Sequence, residues 1–375
     1  MKFKTLYSAF AIFMLLSCNT APNATKEVTT SKVPKNVILL ISDGTGLSQI
    51  SSAFYFNDST PNYTRFNDIG LIITSSAKED ITDSAAGATA LACGVKTYNG
   101  AIGVEVGSTN AKNIIEIVSS KKIKTGLIAT SSITHATPAC FYAHTLSRGS
   151  EEEIALQLTQ SEVDFFAAGG LDYFNNRKDG QDLLNNFKEN QFKIDTTALS
   201  NFSEIQSVEK AGFLLAKKGM PKMEDGRGNF LSKATELAMQ FLSKGDSGFF
   251  MMTEGSQIDW GGHENNSSYL ISELIDFDDA VGKALDFAEK DGNTLVIVTS
   301  DHETGGFTLA AKKKMREDGS EYSDYSEIEP TFSTGGHSAT LIPVFAFGPG
   351  SEEFTGIYEN NNIFEKILNV TKWRE

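Results

Sequence analysis

The 375-residue chain is short of basic residues, and this shortage excludes one class of partner. Its 33 Lys and Arg stand against 48 Asp and Glu, which gives a formal net charge of −15. A protein that follows a nucleic-acid backbone needs a basic stripe, so we expect no binding along a nucleic acid. A small phosphate ester is not excluded, because a bound metal ion can supply positive charge locally.

Cysteine is scarce as well, with only Cys18, Cys93 and Cys140 in the chain. Cys93 and Cys140 lie among small and apolar residues and are too few for a disulfide framework. We therefore expect both to be buried free thiols, without a bridge or a metal.

The N-terminal apolar run is too short to span a membrane as a helix. Residues 6–16 are mostly apolar and follow Lys2 and Lys4, as in an export signal. The run ends in Leu-Leu-Ser-Cys, which resembles the bacterial lipoprotein box with Cys18 as the lipidated first residue. An ordinary signal peptide cut nearby is the alternative. Residues 19–35 are rich in Thr, Ala, Pro and Lys without periodicity, and we expect a flexible tether there.

Short continuous apolar runs alternate with amphipathic stretches in the rest of the chain. Continuous hydrophobicity is typical of strands that are covered on both faces. The alternation predicts an α/β fold, a three-layer α/β/α sandwich around a large, mostly parallel central sheet. The expected strands lie at 37–42, 69–74, 125–129, 163–168, 249–252, 295–299 and 341–347, and the clearest helices at 114–121, 151–160, 231–243 and 269–290.

One domain is expected over residues 36–375, without internal repeats. Residues 172–228 are polar and weakly patterned, and we predict an insertion with some helix. Residues 311–336 are charged and rich in Lys, Asp, Glu and Ser, which predicts a long surface excursion. Such excursions in compact domains are often functional.

Three of the predicted strands run directly into an acid: Asp43, Glu254 and Asp301. In open α/β sheets the carboxyl ends of the strands form the ligand site, so these acids are expected to converge. A single acid after a strand often caps a helix or makes a turn. Three convergent carboxylates, however, repel one another unless positive charge lies among them, which favours a metal cluster.

Histidines strengthen this interpretation, since the chain has only five. His302 follows Asp301 directly, and His263 lies four residues after Asp259, one turn apart if the segment is helical. His337 stands among glycines, and neutral imidazole is a preferred zinc ligand. His144 has no such neighbour and is expected to be structural.

Ser84 begins a run of small, helix-compatible residues that ends at Gly94. This places its hydroxyl near a helix N-terminus, where free N–H groups and the helix dipole favour an anion. A serine there is often only a cap. The small residues behind it indicate, in addition, tight packing under a site where backbone approaches a ligand.

These segments together resemble the alkaline phosphatase family over residues 36 to the end. Residues 82–86 (TDSAA) and 94–100 (GVKTYNG) are similar to the nucleophile segment of that family, and the acids and histidines follow in matching order and spacing. The nearest likeness is to compact, cold-adapted marine bacterial enzymes. The resemblance implies the family's α/β fold, a homodimer, small phosphate monoesters as substrates, and hydrolysis through a phosphoserine at Ser84.

The resemblance also implies roles for individual residues, with two zinc ions and one magnesium ion as cofactors. Arg148 would bind two phosphate oxygens, and Asp83 would orient Arg148. The implied metal ligands are Asp259, His263 and His337 for the first zinc, Asp43, Asp301 and His302 for the second zinc, and Asp43, Thr137 and Glu254 for the magnesium. With the predicted lipid anchor at Cys18, the expected location is the periplasm or the outer membrane of a Gram-negative bacterium.

Two positions depart from the pattern of the enteric bacterial enzymes. His135 stands near the third metal where that branch has an aspartate, and nitrogen ligands favour ions softer than Mg²⁺. Trp260 stands where that branch has a lysine, so a charge that helps to orient and hold phosphate is missing.

Two kinds of function are alternatives to a phosphomonoesterase. A phosphodiesterase, a sulfatase or a cofactor-independent phosphoglycerate mutase would use a similar scaffold and similar ligands. The sequence after Ser84 lacks the C/S-x-P-x-R context of sulfatases, and Arg148 in the phosphate pocket favours monoesters. A non-catalytic phosphate- or metal-binding envelope lipoprotein is disfavoured, because every role that the reaction needs is filled.

Overall fold

The structure, a computed structural model, describes residues 33–374 of the chain. The predicted export signal, the lipid anchor at Cys18 and residues 19–32 of the predicted tether lie outside the described residues and stay predictions. Within 33–374, every helix is too short or too polar to cross a membrane.

A ten-stranded, mostly parallel sheet forms the centre of the described chain. The described residues form fourteen strands, ten in this sheet and four in two small two-stranded sheets, β10-β11 and β12-β9. They are β1 (Asn36–Ser42), β2 (Asp68–Ile73), β3 (Lys124–Ser132), β4 (Phe165–Gly169), β5 (Phe192–Asp195), β6 (Lys210–Leu214), β7 (Phe249–Gly255), β8 (Thr294–Thr299), β9 (Glu303–Thr304), β10 (Thr308–Met315), β11 (Glu321–Thr331), β12 (His337–Ser338), β13 (Ile342–Phe347) and β14 (Gly356–Glu359). The sheet order is β14-β2-β13-β8-β1-β7-β3-β4-β6-β5, and β13 runs antiparallel to both of its neighbours. The α/β fold class predicted from the sequence is confirmed.

Helices cover both faces of the sheet and produce two apolar cores. They are α1 (Leu47–Phe56), α2 (Ser84–Cys93), α3 (Ile114–Ser119), α4 (Ala136–Ala139), α5 (Glu151–Thr159), α6 (Asp172–Asn175), α7 (Leu184–Glu189), α8 (Phe202–Ile205), α9 (Phe230–Leu242), α10 (Gln257–His263), α11 (Ser267–Asp291) and α12 (Asn362–Thr371). Successive side chains of a strand point to opposite faces, so Leu39 of β1 packs in one core and Leu40 in the other. Because both faces are covered, β1 is completely buried and its sequence is continuously apolar.

The two polar segments of the sequence contain more strand than was expected. Residues 172–228 hold β5 and β6 of the central sheet besides short helices, and residues 311–336 lie largely in the β10–β11 hairpin. β5 and β6 have four and five residues, too few for a periodic signal to stand out from polar surroundings. Cys93 and Cys140 are free and buried, as expected.

His144 takes a structural position, bonded through both ring nitrogens. Nδ1 lies 2.6 Å from the Gly103 carbonyl oxygen and Nε2 lies 3.2 Å from Glu116 Oε1. Burial opposes a charged ring, but the bonds to Glu116 and Gly103 outweigh it and raise the pKa of His144. Burial also opposes a charged Glu116, yet the bonds from His144 and Asn113 lower the pKa of Glu116. The charged pair is therefore favoured in the folded state.

Glu116→Gln is expected to destabilise the fold by about 0.5–1 kcal/mol near pH 6 and by about zero near pH 9. A raised histidine pKa contributes stability that is complete below its unfolded value and is lost as pH rises through the folded value. Glutamine keeps the bond from the Asn113 N–H, so the helix cap of α3 survives and only the charge is removed. Urea unfolding of wild type and variant at both pH values measures the difference, and an equal cost at both would contradict the assignment.

Candidate functional site

Four neighbouring strands of the sheet end at one place, and each end carries candidate ligands. The neighbours are β8, β1, β7 and β3 in that order. Asp301 follows β8, Asp43 follows β1, Glu254 lies in the last part of β7, and His135 follows β3. The three carboxylates are fully buried. The convergence expected from the strand ends is present, at the edge where open α/β sheets bind ligands.

Possible metal-ligating atoms gather in three groups within the described residues, each with its atoms inside 4.8 Å of one another. The groups are Asp259, His263 and His337; Asp43, Asp301 and His302; and Asp43, His135 and Glu254. Asp43 belongs to two groups, and α10 supplies Asp259 and His263 from one face, four residues apart. The structure thus brings together all eight acids and histidines that the sequence proposed as ligands or as neighbours of the third ion.

In the first group, backbone carbonyls orient both imidazoles. His263 Nδ1 lies 2.8 Å from the Gly335 oxygen, and His337 Nδ1 lies 2.8 Å from the Thr82 oxygen. A carbonyl only accepts, so each Nδ1 carries the hydrogen and each Nε2 carries a lone pair. The two Nε2 atoms lie 3.2 Å apart, at 3.4 and 3.7 Å from Asp259 Oδ1. Two lone pairs and a carboxylate oxygen so arranged fit a cation between them.

The second group surrounds His302 Nε2, which lies 3.3 Å from Asp301 Oδ2 and 3.5 Å from Asp43 Oδ1. Asp301 Oδ2 and both oxygens of Asp43 are buried and accept no hydrogen bond from the described residues. Burial raises the pKa of Asp43 well above its ordinary value, and Asp301 adds to the effect. Buried carboxylate oxygens without donors are costly, so this group also fits a divalent cation.

The third group is built around Glu254. Its Oε2 accepts from Ser256 Oγ at 2.6 Å and from Ser131 Oγ at 3.3 Å, whereas its Oε1 has no donor among the described residues. Burial raises the pKa of Glu254 to about 7. Burial and the Arg148 charge lower the pKa of His135 to about 4, so this ring is neutral and able to offer a lone pair. Thr137, in α4, is completely buried.

Ser84 is the first residue of α2, and its hydroxyl lies beside the second group. Its Oγ is 3.2 Å from His302 Nε2, and the side chain is buried. The small residues behind it are explained by close packing, since a Cβ on Gly87 would lie 3.0 Å from Asp301 Cβ. Every residue of α2 is buried, which is why the segment has no polar face.

The Asp83 side chain caps the N-terminus of α2 and also binds the Arg148 guanidinium. Its Oδ1 accepts from the Ala86 N–H at 3.0 Å, which makes it the N-cap of α2. Its Oδ2 accepts from the Gly100 N–H and from Arg148 Nη1, both at 3.0 Å. Arg148 Nη2 lies 3.2 Å from His135 Nε2. The Asp83 carboxylate therefore fixes the Arg148 fork between α2 and the third group.

Trp260 lies between the site and the 215–222 loop. Its ring meets the His135 ring edge-on, with centroids 6.1 Å apart. A Cβ on Gly219 would lie 2.7 Å from the Trp260 ring, so the loop is pressed against it. Trp260 therefore presents an apolar surface to the site, at a position where a lysine would add a positive charge.

One residue at this site was missed by the sequence reasoning. Thr304 Oγ1 lies 2.5 Å from Asp259 Oδ1 and 3.2 Å from His302 Nδ1. The available signal was its spacing, because a residue two positions after His302 in an extended segment returns to the same side. A lone threonine in so short a strand gives no reason to look for it.

Comparisons with known proteins agree with this geometry. The family model described as Alkaline phosphatase matches residues 34–327. The chain is 32% identical to alkaline phosphatase 3 of Bacillus subtilis over 90% of this chain and 89% of that protein. It is 28% identical to the Escherichia coli alkaline phosphatase over 91% of this chain and 87% of that protein.

Solved structures are similar as well. The alkaline phosphatase of the Antarctic bacterium TAB5 superposes with a TM-score of 0.90 at 70% identity, over 92% of this chain and all of that chain (100%). A TAB5 mutant, His 135 Asp with Mg bound in the M3 site, gives a TM-score of 0.91 at 72% identity over the same shares, 92% and 100%.

Proposed function

The chain belongs to the alkaline phosphatase family and is a phosphomonoesterase, and from this premise we propose that Ser84 is its nucleophile. The observation that carries the proposal is the position of the Ser84 hydroxyl, buried at the start of α2 and 3.2 Å from His302 Nε2. A hydroxyl at a helix N-terminus beside a metal-ligand group lies where an anionic phosphate is favoured. Ser84→Ala is the direct test.

We propose two zinc ions and one magnesium ion as the cofactors. Imidazole and carboxylate ligands in the first two groups are typical of catalytic zinc. In the third group, oxygens from Asp43, Glu254 and Thr137 suit Mg²⁺, whereas the His135 nitrogen favours a softer ion. The TAB5 mutant with Asp at its residue 135 holds Mg, as expected for an oxygen ligand. Elemental analysis is expected to find zinc and magnesium near two to one, and zinc alone would reject magnesium as the third ion.

Bound cations would supply the positive charge that lowers the pKa of the Ser84 hydroxyl and stabilises the leaving oxygen. Ser84 Oγ forms a bond to phosphorus, the ester P–O bond breaks, and the alcohol leaves with a proton. Water then attacks the phosphoserine, which releases phosphate and restores the hydroxyl. The Arg148 fork donates to two non-bridging oxygens in a planar geometry that lysine cannot provide. Asp83 keeps this fork in place through the bond to Nη1.

Trp260→Lys is expected to tighten inhibition by inorganic phosphate by about fivefold, because a unit charge about 4 Å from an anion contributes about 1 kcal/mol where water screens the pair fully. The physical reason is that Trp260 forms an apolar wall beside His135, so a lysine in its place would add a second positive charge to that of Arg148. Steady-state inhibition by phosphate measures the change.

Trp260→Gln is the matched control, since it removes the ring without adding charge. Unchanged phosphate inhibition in Trp260→Lys would reject the charge explanation. Equal tightening in both variants would assign the effect to the lost ring.

We also propose that the enzyme is a homodimer. The support is a set of apolar side chains that α1 exposes in the single chain: Leu47, Phe54, Tyr55 and Phe56, each between 40% and 64% exposed. Several exposed large apolar side chains on one helix are typical of a surface that a partner covers. Light scattering after size exclusion, with Phe54→Lys as the interface variant, tests it.

The lipid anchor is a further proposal, supported by the box that ends at Cys18. It places the enzyme in the periplasm or at the outer membrane of a Gram-negative bacterium. Labelling with a radioactive fatty acid in wild type, and its loss in Cys18→Ala, tests the anchor.

A further inference from the structure

Thr304 lies among the candidate ligands of two metal groups without belonging to either. Its hydroxyl is 2.5 Å from Asp259 Oδ1, in the first group, and 3.2 Å from His302 Nδ1, in the second. The side chain is completely buried, and β9 pairs Thr304 directly with His337 of β12. One hydroxyl therefore touches both groups.

The direction of these two bonds follows from the chemistry of the three partners. A hydroxyl has one hydrogen, and a carboxylate oxygen only accepts. Thr304 therefore donates to Asp259 Oδ1, and its remaining lone pair accepts from the Nδ1–H of His302. With the hydrogen on Nδ1, His302 Nε2 carries the lone pair. This is the nitrogen that faces Asp301, Asp43 and the Ser84 hydroxyl.

His302 differs in this respect from the other two clustered histidines. His263 and His337 are oriented by the carbonyls of Gly335 and Thr82, which accept only and leave one tautomer. The partner of His302 is a hydroxyl, which could donate to Nδ1 or accept from it. On the Nδ1 side of the ring, the second bond of this hydroxyl, to Asp259, sets the direction. The tautomer of His302, in the second group, thus depends on the Asp259 carboxylate of the first group.

We propose that Thr304 is a positioning residue that holds His302 in its Nδ1–H tautomer and couples the two zinc sites through Asp259. The inference rests on the proposed zinc centre. Thr304 would act on zinc binding indirectly, through the two candidate ligands that it contacts, Asp259 and His302. Loss of a partner that orients a metal ligand typically weakens metal affinity by about 10- to 100-fold.

Close packing keeps Thr304 in this position. A Cβ on Gly44, the residue after Asp43, would lie 2.7 Å from Thr304 Oγ1, and one on Gly262, the residue before His263, would lie 3.0 Å from Thr304 Cβ. The Thr304 N–H also donates to the Gly44 carbonyl at 3.0 Å. Gly44 has φ +74°, a conformation that favours glycine. The hydroxyl has little freedom to find another partner.

The test compares Thr304→Val, which keeps the shape and removes the hydroxyl, with Thr304→Ser, which keeps the hydroxyl. The zinc-loaded full-length proteins are mixed with a coloured zinc chelator, and the rate of zinc release is measured. Thr304→Val is expected to release zinc about 10- to 100-fold faster than wild type. Thr304→Ser is expected to stay within about threefold, since it retains both bonds.

A spectroscopic readout separates tautomer control from general loosening. With ¹⁵N-labelled histidine only five rings contribute, and long-range ¹H–¹⁵N correlations distinguish Nδ1–H from Nε2–H. In the metal-free proteins, wild type and Thr304→Ser should show the Nδ1–H pattern for His302, and Thr304→Val a mixture. Wild-type zinc release in Thr304→Val, or an unchanged His302 tautomer, would overturn the inference. If wild type itself bound no zinc, the proposed metal centre would fail instead.

Discussion

Ser84→Ala is expected to lower kcat for p-nitrophenyl phosphate by about 10³-fold or more, with the metal content unchanged. The Ser84 hydroxyl forms the bond to phosphorus, so its removal leaves only direct attack by water on a bound ester. The substitution leaves every acid and histidine of the three ligand groups in the sequence, so the alanine variant is expected to keep its metal ions. Initial rates together with elemental analysis of the same preparation measure both parts of the expectation.

A second measurement identifies the intermediate. Acid quenching during turnover, followed by mass spectrometry of peptides, should find a phosphoryl group on the Ser84 peptide of wild type and none in Ser84→Ala. Ser120→Ala, which removes an exposed hydroxyl after α3, controls for preparation and should behave as wild type. Wild-type turnover in Ser84→Ala would reject the nucleophile assignment, and loss of metal in that variant would make Ser84 a structural residue.

The ligand-bearing part of the fold could be predicted because burial leaves a continuous signal in the sequence. β1 and β8 are covered on both faces, so their runs are apolar throughout, and the first acids after them stand out. Since the carboxyl ends of parallel strands meet at one edge, the convergence of Asp43 and Asp301 followed from chain order alone. The sheet order, by contrast, depends on packing between segments that are distant in sequence, and it came only from the structure.

The features that could not be predicted from the residues around them depend on contacts between segments that are distant in the sequence. Arg148 lies in a loop after α4, and its bond to Asp83 spans 65 residues. Its role came from the family resemblance, since nothing around it indicates a phosphate-binding site. The role of Thr304 depends on α10, because its hydroxyl donates to Asp259 of that helix, 45 residues away in the sequence. β5 and β6 pair at the far edge of the sheet and are too short for a periodic signal.

Removal of divalent cations with EDTA is expected to abolish activity and to lower Tm by about 10 °C or more, because losing bound zinc costs about 5 kcal/mol or more in stability. Without cations, the buried carboxylates of Asp43, Asp301 and Glu254 face one another without sufficient donors. Burial, followed by repulsion from Asp301, raises the pKa of Asp43, which shows how unfavourable its charge is there. Scanning calorimetry before and after chelation, with activity on the same samples, measures the effect.

The same repulsion predicts that one ligand substitution has opposite effects in the two states. Asp43→Asn should raise the Tm of the EDTA-treated protein by about 2–5 °C, since it removes one buried charge, while lowering that of the metal-loaded protein. Asp278→Asn is the matched control: this acid is also buried, but it lies on α11, accepts from the Asn62 N–H and belongs to none of the three ligand groups. It should destabilise both states alike. If Asp43→Asn lowered Tm in both states, charge repulsion would not govern the stability of the metal-free site. Removing a repelled charge has to stabilise the metal-free protein if repulsion is the dominant effect.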